Sequence, residues 1–202
     1  LTISDFSNGI VHFPQNLLLL DPSTTAGEYE SHTGLKVIRG TENIQQFFAS
    51  VRNRNRSGDL KWIDFSDLTM LKELTPLEIS ELLYFGHMKT HLHSPFFYKL
   101  QNNFVYFDLN DQLGRIYYRY LDEFYRIFAN KLSTILFEKI NEKKSFFRRD
   151  IPVENISVDL LKDMRNLMQE GIIFSFEQGG LVNDEYRIPI YVIEDYIWKL
   201  KG

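Results

Sequence analysis

The stretch 104–120 reads FVYFDLNDQLGRIYYRY and decides the fold class of this 202-residue chain. Its two ends, 104–108 and 115–120, are rich in aromatic and β-branched residues, and the polar segment between them, 110–114, has the composition of a hairpin loop. In the second run every other residue from Ile116 onward is apolar or aromatic, which is typical of a half-buried strand. The pattern predicts a β-hairpin whose side chains are mostly rings.

Helices and further strands surround this hairpin in the sequence. The tetrapeptide Thr75-Pro76-Leu77-Glu78 is a capping box with proline at the first helical position, and it predicts a helix that begins there. Residues 121–141 carry apolar side chains at helical spacing and predict the longest helix. Further helices are predicted at 41–53 and 157–170, and further strands at 17–20, 35–39, 60–65, 96–100, 172–176 and 186–193.

Strands and helices are partly segregated along the chain rather than strictly alternating. This order favours an α+β fold, in which a mixed or antiparallel, aromatic-rich sheet is packed by three to four amphipathic helices. A basic segment that turns at Pro152 indicates a boundary between an α+β domain at 1–144 and a small unit of one helix and a β-hairpin at 145–202, packed on the first. A single domain over the whole chain is the alternative.

The C-terminal unit resembles the back half of a winged helix. A helix with Leu160 and Leu167 is followed by Gly171 and by a β-wing that closes near Pro189. In DNA-binding proteins of this shape, the helix that enters the groove carries several basic or amide side chains. Here residues 150–202 hold ten acidic and five basic side chains. A winged-helix-like packing or dimerisation unit is therefore favoured over a DNA reader.

The composition excludes several classes of protein. The chain has 17 Phe, 11 Tyr and 2 Trp, which predicts a core built of rings, and no Cys, which excludes disulfides, thiolate zinc sites and a cysteine nucleophile. The net charge of −4 excludes a basic field over the whole protein. No window approaches the ~18 apolar residues of a membrane span, and the first residues lack the features of a signal peptide. These observations predict a soluble, cytoplasmic protein with no membrane span.

Histidines cluster at one place in the sequence. Three of the five, His87, His91 and His93, fall within seven residues. If the helix that begins near Pro76 reaches His91, the first two stand one turn apart, the spacing at which two imidazoles meet one metal ion. The alternative is that they cap or pack the helix end, where the dipole favours histidine. The cluster makes a divalent-metal site and a metal-dependent hydrolase one alternative function, and no other cofactor is implied.

Two basic clusters are candidates for binding anions. Arg52, Arg54 and Arg56 follow a predicted helix, and guanidinium groups grip phosphate or carboxylate with two hydrogen bonds at once. The segment 143–149 reads KKSFFRR, in which two rings between basic residues can stack single-stranded bases. A solvated helix end and a linker pinned to the core are the simpler interpretations. Nucleic-acid binding is therefore a second alternative function, disfavoured by the net charge.

The sequence favours a non-catalytic binding or regulatory protein over both alternatives. It contains no nucleotide-binding loop and no nucleophile motif. Its surplus of aromatic residues, where exposed, makes a patch for self-association or for another protein. The candidate partner-binding residues are Tyr117, Tyr120, Tyr125, Phe146 and Phe147.

Overall fold

The computed structural model describes residues 1–21, 24–52, 60–87, 94–108, 114–142, 149–183 and 185–193. Backbone contacts divide the chain into two compact units, 1–124 and 125–202, and the division falls inside a helix, after Phe124. The boundary predicted between residues 144 and 145 lies outside the described residues, so it stays a prediction.

One antiparallel six-stranded sheet organises the unit 1–124. Its strands are β1 (Asn16–Leu19), β2 (Glu28–Tyr29), β3 (Lys36–Arg39), β4 (Leu60–Phe65), β5 (Phe104–Asp108) and β6 (Gly114–Tyr118). Their spatial order is β2-β3-β1-β4-β5-β6, and each neighbouring pair is antiparallel. The predicted hairpin is confirmed, because β5 pairs with β6 and Phe104 lies opposite Tyr118. Its loop, 109–113, lies outside the described residues.

The described residues of this unit also form four helices. They are α1 (Ile3–Gly9), α2 (Thr41–Arg52), α3 (Thr69–Lys72) and α4 (Pro76–His87), and α5 (Leu121–Asn141) continues past the end of the unit.

The predicted capping box is confirmed: the Thr75 amide donates to Glu78 Oε2 at 2.7 Å, and the Glu78 amide donates to Thr75 Oγ1 at 3.4 Å. Lys99 Nζ donates to the same carboxylate, and this bond together with those from Thr75 lowers the pKa of Glu78 to about 2.

The two faces of the sheet differ in chemistry because side chains alternate along each strand. The first, which we call the aliphatic face, carries Leu18, Val37, Ile63 and Val105, all 0% exposed. Leu82 of α4 is buried in the same cluster. At about 1.5–3 kcal/mol for each fully buried aliphatic side chain, this cluster is a large part of the driving force for folding.

The second face, which we call the aromatic face, is built of rings. Trp62 on β4 stacks on Tyr106 of β5 with ring centroids 5.4 Å apart. Phe6 of α1 meets Phe104 edge-on at 5.1 Å, and Phe48 of α2 lies 5.5 Å from Trp62. Such ring pairs contribute about 0.5–1.5 kcal/mol each beyond the area that they bury. Helices thus cover the sheet on both sides, and the ring-built core lies on the side of α1 and α2.

Two segments of this unit differ from their predictions. Residues 3–9, for which no helix was expected, form α1, since Thr2 and Asp5 make a second capping box. Residues 96–100, predicted as a strand, form a turn instead. The reason is local: the Phe97 amide donates to Asn102 Oδ1 at 2.8 Å, and the Gln101 amide donates to the Phe97 carbonyl at 3.1 Å. Gln101 sits at φ 46°, in the left-handed region that ends an extended run.

The unit 125–202 is made of short elements after α5. They are α6 (Val158–Asp163), α7 (Arg165–Glu170), β7 (Ile172–Phe174), the 3₁₀ turn Phe176–Gln178, β8 (Gly180–Val182), β9 (Glu185–Arg187) and β10 (Ile190–Val192). β7 pairs with β10 and β8 pairs with β9, both antiparallel. The predicted helix over 157–170 is broken at Met164, which joins α6 to α7. The winged-helix interpretation of this segment stays a prediction.

The six-stranded antiparallel sheet and the helices that accompany it confirm the α+β class. The structure has more helices than the three to four predicted, because α1 and α3 carry too few residues to show a helical period. None of the helices within the described ranges combines the length and the apolar content that crossing a membrane requires.

Candidate functional site

A cavity of about 460 Å³ opens in the unit 1–124, at the end of the sheet where β1 and β5 begin and β4 and β6 end. We call it the strand-end cavity. Its wall comes from four separate segments of the chain. The lining residues are His12, Phe13, Pro14, Gln15, Asp64, Phe65, Ser66, Tyr98, Gln101, Asn103, Arg119 and Tyr120.

Asp64 places a carboxylate at the base of this cavity. It is 4% exposed and sits near the end of β4, next to the first residues of β5. Its Oδ1 accepts hydrogen bonds from the amides of Asn103, at 2.9 Å, and Phe104, at 2.6 Å. These two bonds satisfy the amides where β5 begins, so the carboxylate has a structural role. Its second oxygen, Oδ2, accepts no hydrogen bond from any other described side chain.

The electrostatic environment of Asp64 is unusual for an aspartate. Burial raises the pKa of its carboxyl to about 6, against the bonds from the Phe104 and Asn103 amides and the positive charge of Arg119, which act in the opposite direction. Desolvation therefore outweighs every partner that the carboxylate has. The side chain would gain from a further cation or donor in the cavity.

Arg119 follows β6 and lines the same cavity. Its amide donates to the Asn103 carbonyl at 2.8 Å, which extends the β5–β6 pairing by one residue and holds the backbone in place. Its guanidinium carbon lies 5.4 Å from the centre of the Phe96 ring, a cation–π distance. Its Nε is buried and has no hydrogen-bond partner among the described residues. Arg119 acts on Asp64 through its charge rather than through a hydrogen bond.

His12, which lines another part of the wall, pairs with a glutamate later in the sequence, Glu123. Glu123 at the start of α5 is 7% exposed and accepts hydrogen bonds from the amides of Val11, at 3.0 Å, and His12, at 3.3 Å. Burial raises the pKa of Glu123, but the bonds from Val11 and His12 outweigh it and the net shift is downward. The carboxylate is therefore an acceptor, and His12 Nδ1, 2.7 Å away, is the donor. In the neutral imidazole, this bond places the proton on Nδ1 and makes Nε2 the acceptor.

Two tyrosine rings form the exposed part of the wall. Tyr98 is 91% exposed and Tyr120 is 61% exposed, and both line the cavity. Tyr98 is held out of the core by the turn that replaces the predicted strand over 96–100. The cavity therefore combines two exposed rings with the buried carboxylate of Asp64.

The histidine cluster stays a prediction. His91 and His93 lie outside the described residues, and of His87 the structure describes only the backbone, as the last residue of α4. Among the side chains that the structure does describe, no group of three or more His, Cys, Asp or Glu is placed to hold a metal ion. The metal site and the hydrolase that it would support are therefore untested.

The two basic clusters also stay predictions. Arg54 and Arg56 lie outside the described residues, and Arg52 is described only as the last backbone position of α2. Of the segment 143–149, the described part is Arg149, which is exposed.

The five candidate partner-binding residues fall into different environments. Tyr120 is exposed in the wall of the strand-end cavity, whereas Tyr117 is partly buried with its ring 5.9 Å from that of Phe107. Tyr125 is 6% exposed, so little of its ring is available to a partner. Phe146 and Phe147 lie outside the described residues. Of this set, Tyr120 is the residue that the described surface presents to a ligand.

The residues of the cavity were not selected from the sequence, apart from Tyr120. Asp64 lies in a run that reads LKWIDF over 60–65, and a charged residue inside a buried strand is a signal that could have indicated it. His12 and Glu123 are 111 residues apart and become a pair only through the fold. Comparisons of the chain with protein-family models, with curated proteins and with solved structures found no match.

Proposed function

We propose that the chain is a non-catalytic binding module and that the strand-end cavity is its ligand site. The observation that carries the proposal is that one cavity gathers a buried carboxylate, Asp64, a guanidinium with an unused donor, Arg119, and the exposed rings of Tyr98 and Tyr120. A few converging polar groups beside aromatic walls are typical of small-molecule sites, and about 460 Å³ is within the roughly 300–1,000 Å³ of such sites.

The structural roles of the polar groups support binding rather than chemistry. The Asp64 carboxylate is held by two backbone amides, and Arg119 is held by its own backbone bond and by the Phe96 ring. Both groups are therefore fixed before a ligand arrives, which lowers the entropic cost of binding.

A screen with a matched pair of tyrosine variants tests this function. A library of small polar compounds is screened by thermal shift, and the dissociation constants of the hits are measured by calorimetry. Tyr98→Ala removes a cavity ring, and we expect it to weaken the hits about fivefold, since a ring contact contributes about 1 kcal/mol. Tyr84→Ala removes a ring that is 69% exposed on α4, outside the cavity, and we expect no change. Equal losses in the two variants, or no hit at all, would contradict the proposal.

A second candidate function is an enzyme that uses His12 as a base. The observation in its favour is the bond from His12 Nδ1 to Glu123, which leaves Nε2 as an acceptor in a residue that lines the cavity. The imidazole is 83% exposed, however, so water is not excluded from it, and we place the binding role first. If the wild type hydrolyses activated ester or phosphoester probes and His12→Ala abolishes this hydrolysis, the enzyme is favoured. Equal rates of hydrolysis in the wild type and in His12→Ala would exclude this function.

A further inference from the structure

The charges in the lining of the strand-end cavity indicate which charges its ligand carries. Asp64 is its acidic residue and Arg119 its basic one, and the lining also includes His12. Asp64 and Arg119 influence each other through charge, yet no hydrogen bond joins them. The cavity therefore presents one anion and one cation side by side, each with unused hydrogen-bonding capacity.

In each of the two residues, the unused hydrogen-bonding capacity belongs to one atom. On Asp64 the amides of Asn103 and Phe104 both donate to Oδ1, and no other described side chain donates to Oδ2, so that oxygen is placed to accept from a ligand. On Arg119 the buried Nε has no partner in the described part of the chain, so a donor remains for an acceptor from a ligand. Buried polar groups in native proteins are nearly always paired, and an unpaired one destabilises the free protein. A ligand that accepts from Arg119 Nε pairs the unpaired group, and one that also donates to Asp64 offsets the desolvation of that carboxylate.

A ligand with a single charge does not suit this arrangement. A lone carboxylate or phosphate would pair with Arg119 but would stand beside Asp64, a like charge in a partly desolvated place. A lone amine would pair with Asp64 but would stand beside Arg119. A molecule that carries both charges meets an opposite charge at each end and brings no net charge into the cavity.

We infer that the ligand of the strand-end cavity is a small zwitterion of the amino-acid class, with its carboxylate on Arg119 and its ammonium group on Asp64. This inference rests on the proposed function, because it names the ligand class of the same site. The exposed rings of Tyr98 and Tyr120 favour a side chain that is itself aromatic or apolar, since both rings lie in the wall of the cavity. Phenylalanine is therefore the first probe.

Three matched compounds test the inference on the unmodified protein. Phenylalanine carries both charges, 3-phenylpropionate lacks the amine, and phenethylamine lacks the carboxylate, while all three share the ring. We expect phenylalanine to bind at least about tenfold more tightly than either analogue, since a hydrogen bond to a charged group contributes about 1.5–3 kcal/mol. Equal binding of the three compounds in the cavity would overturn the inference and leave the proposed function standing.

Two variants assign each charge to its residue. Asp64→Asn keeps an oxygen for the two amides and removes the negative charge, so this variant should bind phenylalanine only as tightly as the wild type binds 3-phenylpropionate. Arg119→Gln should bind phenylalanine only as tightly as the wild type binds phenethylamine. Arg39→Gln, on β3 and outside the cavity, is the matched control and should change nothing. Retained discrimination in Asp64→Asn, with the melting temperature unchanged, would overturn the inference.

The failure of the inference and that of the proposed function are distinguishable. If phenylalanine does not bind but hits from the polar library do, and Tyr98→Ala weakens them, then the inference fails and the cavity is still a ligand site. If neither phenylalanine nor any library compound binds, both fail together.

Discussion

The two faces of the sheet each bury one charged side chain of β4, and the two residues differ in their surroundings. Lys61, on the aliphatic face, is 2% exposed, and its ammonium lies 5.7 Å from the Phe107 ring. Asp64, at the end of the aromatic face, is almost as deeply buried but lines a cavity. Because Asp64 lines a cavity, its charge is placed to serve a ligand as well as the fold.

The same contrast appears in how the faces are packed. The aliphatic face is a continuous cluster closed by α4, with Leu71 and Leu82 filling the space over the strands. Rings meet at angles on both faces, as Phe85 and Phe107 do at 72° on the aliphatic face and Phe6 and Phe48 do at 77° on the aromatic face, but on the aromatic face they surround one central residue, Trp62. The cavity lies beyond the last of these rings, at the strand ends. The predictions that follow test this contrast between the faces.

The largest expected effect is the loss of the central ring. Trp62→Ala should lower the free energy of unfolding by about 3–5 kcal/mol, because it removes the residue that Phe6, Phe48 and Tyr106 all contact. Leu18→Ala, its counterpart on the aliphatic face, should lower it by about 2–5 kcal/mol. Urea denaturation followed by circular dichroism measures both. A loss below about 1 kcal/mol for Trp62→Ala would show that the aromatic face does not hold the unit together.

The pH dependence of stability sharpens the contrast at Asp64. Its folded-state pKa, about 6, is above the ordinary value of 3.8, so the folded protein holds this proton more tightly than the unfolded chain does. Protonation therefore stabilises the fold, and stability falls as the pH rises from about 4 to 6. Between pH 7 and 4, the wild type should gain about 2 kcal/mol relative to Asp64→Asn, because at about 1.4 kcal/mol per unit of pKa the full effect of about 3 kcal/mol is reached only well below pH 4.

The control for this pH experiment lies in the opposite behaviour of Glu78. The pKa of that carboxyl is lowered to about 2 by its bonds with Lys99 and Thr75, so its contribution is present above about 4.5 and is lost as the pH falls toward 2. Glu78 is present in both the wild type and Asp64→Asn, so its contribution cancels when one free energy of unfolding is subtracted from the other. Parallel stability curves for the two proteins from pH 4 to 7 would contradict the buried state of Asp64.

A smaller effect separates the structural role of Asp64 from its charge. Asp64→Ala leaves the amides of Asn103 and Phe104 without their acceptor, and it should lower the free energy of unfolding by about 1–3 kcal/mol at pH 7. Asp64→Asn keeps an oxygen in place and should be at least as stable as the wild type at this pH. If both variants lose the same free energy in urea denaturation, then the charge and not the oxygen holds the start of β5.

The smallest effect concerns the edge of the aliphatic face. Thr75→Ala removes the hydroxyl that accepts from the Glu78 amide at the start of α4, and it should lower the free energy of unfolding by about 1 kcal/mol. Thr75→Ser keeps the hydroxyl and is the matched control, with a change of a few tenths of that size. Thermal unfolding of the pair measures the difference, and equal melting temperatures for all three proteins would show that the cap contributes nothing.

The sequence predicts the parts of the fold that depend on neighbours along the chain. The β5–β6 hairpin, the start of α4 at Thr75 and both ends of α5 follow from residues within a few positions of one another. The strand expected over 96–100 fails for a related reason, since one side chain, Asn102, redirects a segment whose composition is that of a strand. Short elements such as α1 and β2 have too few residues for a period to appear.

The site depends on pairings that no local pattern contains. Asp64 meets the amides of Asn103 and Phe104 about 40 positions away, because β4 and β5 are neighbours in the sheet. The partners His12 and Glu123 are farther apart still. A search for charged residues inside buried strands would have found Asp64, but it would have found Lys61 equally. Only the fold shows that Asp64 lines a cavity.

The most direct test of the account is chemical-shift mapping with phenylalanine and with the best library hit on isotope-labelled protein. Because the amides of Asn103 and Phe104 donate to Asp64, and the amide of Arg119 donates to the Asn103 carbonyl, a ligand in the strand-end cavity should shift these three resonances most. Shifts concentrated instead around the separate groove between β3 and α2, at Ile38, Asn43 and Phe47, would contradict the assignment of the site.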